Sequence, residues 1–102
     1  MAQRVQFKSV TVDAVSRTAI TAPVACSEVS IKNTDTTNDA TMYDASSGGN
    51  SKALRAGQSE RFGGGTEPGR RPWPTYRWAS GETVCWVQAD AGTGPIVLTV
   101  VV

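Results

Sequence analysis

The chain has no histidine among its 102 residues. That absence removes the side chain that most often works as an acid or base near neutral pH, and the commonest nitrogen ligand of zinc. With only two cysteines, Cys26 and Cys85, a four-ligand zinc site of the usual kind cannot be assembled, and no metal or other cofactor is expected. A nucleophilic triad would need a lysine base, yet Lys8, Lys32 and Lys52 stand in no Ser-x-x-Lys context. Glu60, Glu67 and Glu82 are available for paired-carboxylate chemistry, but nothing in the sequence places two of them together. The chain is not expected to be an enzyme.

An excess of one charge is also missing. Ten basic and nine acidic side chains leave a net charge of +1, which gives no general attraction to nucleic acid or anionic lipid. The first residues, Met1 to Lys8, contain no uninterrupted apolar stretch behind a basic end, so no secretory signal is expected and synthesis in the cytoplasm is the default. The longest apolar run, Ile96 to Val102, falls far short of the roughly 20 residues of a membrane helix. In a reducing compartment Cys26 and Cys85 are expected as buried thiols, with a bridge between them open only if both face the same core.

Helical periodicity is lacking as well. Val, Thr, Ile and aromatic residues fill the ordered stretches, and Gly, Pro, Asn, Asp and Ser fill the gaps between them. One all-β domain spanning residues 1–102 follows, an antiparallel sandwich or jelly-roll-like fold of about seven to nine short strands. The predicted strands are Arg4 to Ala14, Thr18 to Thr21, Val24 to Asn33, Ala40 to Ala45, Lys52 to Ala56, Glu60 to Phe62, Thr75 to Ala79, Thr83 to Ala89 and Pro95 to Val102. In the first, Val5 and Phe7 are out of phase with Val10 and Val12, which predicts a bulge near Lys8-Ser9 with Phe7 pointing inward. The same change of phase predicts a bend near Ser27-Glu28. Asn33 to Asp39 and Ser46 to Ser51 read as exposed turn-formers at one end of the domain.

Residues 63–74 form a long Gly/Pro-rich loop. Gly63-Gly64-Gly65-Thr66 lacks the Gly-Lys-Ser/Thr and following helix of a phosphate loop. Asp35, Asn38 and Asp39 lack calcium-loop spacing and fit Asx-type turns. Trp73 lies between Pro72 and Pro74, and this stiffened backbone presents the ring at little extra entropic cost. Trp73, Tyr76, Trp78 and Trp86 fall close together, with Arg70, Arg71 and Arg77 nearby, a mixture that can stack on sugars or bases. Alternation puts Tyr76 and Trp78 in the core, leaving too few rings for a nucleic-acid platform.

Two stretches are apolar on both faces: Val84-Cys85-Trp86-Val87 and Ile96 to Val102. A strand points successive side chains to opposite sides, so a two-layer fold needs apolar residues only at alternate positions. The second set, Val84, Trp86, Val97 and Val101, is expected to be covered by a further segment or another protein. Burying one valine contributes about 1.5 kcal/mol or more towards such an association.

The order of features from Val29 onward resembles small β-sandwich proteins of tailed-phage virions, especially capsid decoration or cement proteins. The likeness rests on Val29-Ser30-Ile31-Lys32-Asn33 before a polar loop and Tyr43, on Leu54-Arg55-Ala56-Gly57-Gln58-Ser59 before a strand, and on Ala79-Ser80-Gly81-Glu82-Thr83-Val84 leading into another. It implies a non-enzymatic protein on the outer surface of the virion capsid, often a trimeric homo-oligomer, whose partner is the major capsid protein. The family offers no fixed binding residues. From the residues themselves the candidate contacts are Arg70, Arg71 and Trp73 on the loop and Trp86, Val97 and Val101 on the doubly apolar strands. A tail or fibre accessory protein, or a glycan-binding module, is the alternative.

Overall fold

The computed structural model describes residues 6–63 and 78–102. Eight strands lie in them: β1 (Phe7–Val12), β2 (Thr18–Thr21), β3 (Glu28–Asn33), β4 (Ala40–Tyr43), β5 (Ser51–Leu54), β6 (Ser59–Gly63), β7 (Thr83–Ala89) and β8 (Ile96–Val101). They form two antiparallel sheets, ordered β1-β8-β3-β6 (sheet A) and β2-β7-β4-β5 (sheet B). The first strand pairs with the last, β2 with β7, β3 with β6 and β4 with β5. That nesting is the connectivity of an eight-stranded jelly roll, one long antiparallel ribbon folded over on itself. The all-β expectation holds, and the described residues contain no helix.

Alternation decides which side chains meet between the sheets. Val12, Val29, Ile31, Ile96, Leu98 and Val100 fill the space from sheet A, against Ile20, Ala40, Met42, Leu54, Val87 and Ala89 from sheet B. Trp78, joined to Cys26 through a single bridge, packs on this cluster. It is the described end of the predicted strand Thr75 to Ala79, whose residues 75–77 lie outside the described residues. Gly63, at φ 72°, sits beside this bridge: a Cβ there would strike the Ser27 carbonyl and come within 3.1 Å of the Trp78 ring.

Both open edges of the sandwich carry charged side chains directed across the gap. On one side Lys8 Nζ donates to Thr21 Oγ1 at 3.1 Å, joining β1 to β2. On the other, Lys52 and Glu60 form an ion pair at 2.9 Å between β5 and β6. These two contacts bridge the sheets at either side of the sandwich.

Several expectations need correction. No bulge interrupts β1, which stays in continuous register with β8 from Phe7 opposite Val101 to Val12 opposite Ile96. Lys8 takes the inward position because its long side chain reaches Thr21, and Phe7 therefore points outward, 71% exposed. The chain does bend at Ser27, and the third strand begins only at Glu28. The segments after Asn33 and after Ala45 lie at opposite ends of β4, since one precedes that strand and the other follows it. Asn33 is no exposed turn residue but is fully buried at the end of β3. Its Nδ2 donates to the carbonyls of Asn38 (3.0 Å) and Leu54 (3.1 Å), and its Oδ1 accepts from the Asp35 N–H (3.0 Å). Its backbone is held by Gly57 and Gln58.

Cys26 and Cys85 are free thiols. Burial pushes the Cys85 thiol from 9.0 up to about 12. In the unfolded chain this thiol ionises above pH 9, while in the fold it stays neutral. Its contribution is therefore complete below pH 9 and declines as pH rises towards 12, by at most ~1.4 kcal/mol per pH unit. Urea midpoints of the wild type should fall more steeply above pH 9 than those of Cys85→Ala. Parallel curves for the two proteins would contradict this.

Candidate functional site

Sheet A presents its outer face through the odd residues of β1 and β8 and the even residues of β3. Cross-strand register arranges them in rows: Phe7, Val101, Ser30 and Arg61 in one; Ser9, Thr99, Lys32 and Ser59 in the next; Thr11 and Val97 in the third. Phe7 and Val97 are exposed, Val97 at 44%, and Val101 is half-buried between Phe7 and Ser30. Backbone and side chain of Thr34 donate to the Val97 carbonyl at 3.2 and 2.6 Å, fixing that end of β8. At the other end, the Glu28–Arg61 ion pair (2.7 Å) borders the apolar patch. The result is an outer strip of sheet A that is apolar at both ends, Phe7 with Val101 and then Val97, and polar in the middle through Ser9, Thr99 and Lys32, an arrangement suited to contact with another protein.

The outer face of sheet B differs. Trp86 on β7 lies between Ala19 of β2 and Tyr43 of β4. The Arg17 guanidinium stacks 3.5 Å from the centroid of the Tyr43 ring, and its Nη1 donates to the carbonyls of Ala45 (2.8 Å) and Gly48 (2.9 Å). Gln88 donates to the Ala14 carbonyl and Thr41 to Asp90. The chain thus covers much of this face with its own side chains, and Trp86 and Tyr43 are half-buried. Val84, beside the bulge between Ile20 and Thr21, is half-buried and packs on the core.

Trp86 therefore lies on the opposite side of the sandwich from Val97 and Val101, and the three do not form one surface. Arg70, Arg71 and Trp73 lie outside the described residues. Phe7 was missed as an outer-face residue, although the even phase of Val10 and Val12, extended without a bulge, puts it there. The Asp35 loop forms the expected Asx turn: Oδ1 accepts from the N–H groups of Thr37 (2.8 Å) and Asn38 (2.9 Å), which hold its carboxyl below the usual value. Among the described residues no group of three or more His, Cys, Asp or Glu is placed to hold a metal. No described helix is long and apolar enough to cross a membrane.

Compared with known proteins, the chain matches no family model, no curated protein and no solved structure.

Proposed function

We propose that the protein is a non-enzymatic structural component of a phage virion that decorates or cements the capsid by binding major capsid subunits, as a homo-oligomer. The observation that carries this reading is the outer strip of sheet A, with Phe7 and Val97 exposed and Val101 half-buried, which no described segment covers, on a sheet whose other face is already committed to the core. A jelly-roll sandwich is an architecture that viral shell proteins use, which supports the reading by analogy of fold.

The test is occupancy on purified capsids lacking the protein. Val97 is solvent-exposed, so Val97→Glu leaves the core intact while placing a charge in the strip. It is expected to weaken shell binding about tenfold or more, the equivalent of one buried valine. Undiminished occupancy would remove sheet A from the interface.

A glycan-binding module is the second reading, favoured by the side-by-side Trp86 and Tyr43 on sheet B. Arg17 already occupies one face of Tyr43, which leaves Trp86 as the main stacking ring. Glycan-array binding lost in Trp86→Ala, with no binding to shells, would favour this alternative.

A further inference from the structure

The outer edge of β1 pairs with the same edge of a second copy of this chain. We infer this from the direction of its backbone groups. Gln6 and Val102 exchange both hydrogen bonds, at 3.0 and 3.1 Å. In an antiparallel ladder such two-way pairs alternate, so the even residues of β1 turn their N–H and C=O groups towards β8. Phe7, Ser9 and Thr11 turn theirs the other way. Among the described residues no strand lies on that side, and none hydrogen-bonds those N–H groups. Groups so arranged fit an extended strand.

Self-pairing has a preferred register. A two-fold axis through Ser9 overlaps the whole of β1, sets Phe7 opposite the partner's Thr11, and makes about six inter-chain backbone hydrogen bonds. Moving the axis to Lys8 would put two lysines directly opposite each other, which is unfavourable. With the axis at Ser9, Lys8 instead faces the partner's Val10. The outer rows then join: Val101 and Phe7 run on to the partner's Thr11 and Val97, and the reverse. Two apolar rows then cross an eight-stranded sheet, with the polar row of Ser9, Thr99 and Lys32 between them. This pairing is two-fold, where the family resemblance implies a trimer. It deepens the proposed function, since the enlarged surface is the one offered to a shell, but it is tested on isolated protein and can fail or hold independently of shell binding.

The test is solution mass by light scattering at tens of micromolar. The wild type is expected at twice the 10.8 kDa chain mass. Ser9→Lys, which opposes two charges at the axis on an exposed position, is expected as a monomer with unchanged circular dichroism. Ser51→Lys, on the edge of sheet B, is expected to remain dimeric. A monomeric or trimeric wild type, or a dimeric Ser9→Lys, overturns the inference. If Ser9→Lys does not fold, amide exchange of the wild type decides. Protection of Phe7, Ser9 and Thr11 that grows with concentration is expected, and unprotected amides at every concentration overturn the pairing.

Discussion

Replacing Asn33 by leucine is expected to destabilise the fold by about 2–4 kcal/mol, read as a lower urea midpoint. Leucine shares the branched outline of asparagine and is larger, so none of that loss comes from a cavity. It comes from the partners left behind. The Leu54 carbonyl, the Asn38 carbonyl and the Asp35 N–H all lose a hydrogen bond in a site where Asn33 itself is 0% exposed. Asn33→Asp separates this cause from simple packing. The carboxylate still accepts from Asp35 but turns an anion towards two carbonyl oxygens. That variant is expected to be at least as unstable at neutral pH and to recover partly in acid, when its carboxyl gains a proton to donate. A leucine variant within 0.5 kcal/mol of wild type would mean that the loop after β3 is held by other means.

Leu98→Ala is expected to lose about 2–5 kcal/mol. Leu98 lies in β8, which has β1 on one side and β3 on the other, and its side chain is fully buried. Neighbouring Val97 points the opposite way, and Val97→Ala is expected to change stability by less than about 1 kcal/mol. The contrast between consecutive residues checks the alternation directly by thermal or urea unfolding. Similar losses at both positions would mean that the outer strip is covered in the isolated protein.

How much of this was legible in the sequence varies with how local the cause is. Thr18–Thr21 and Thr83–Ala89 are bounded as predicted, because a turn-former stands within two residues of every end: Ser16 and Pro23, Gly81 and Asp90. The double apolarity of Ile96 to Val102 was visible too, and Val97 and Val101 do lie on the face away from the core. Three features were misjudged, the first against a phase that the sequence does carry and the other two for want of pairing that no local pattern records. Phe7 was assigned inward because hydrophobicity outweighed phase, and the compensating fact is that Lys8 finds Thr21 on another strand. Asn33 looked like turn chemistry because its decisive partner, Leu54, is distant in sequence. Trp86 and Val97 looked like parts of one interface because each belongs to a doubly apolar run. Strand order puts β7 and β8 in different sheets, so their outer faces point in opposite directions.

The nesting of β1 with β8 has a consequence for biosynthesis. During translation β1, β2 and β3 emerge early, yet β1 and β3 never touch directly in sheet A, because β8 is the slat between them. The β4–β5 hairpin can close as soon as it leaves the ribosome, whereas the outer pairs must bridge ever longer stretches of chain, a topology that folds slowly. A nascent chain stopped before Ile96 lacks the strand with which both β1 and β3 pair. Sheet A is therefore expected to close only once β8 is available.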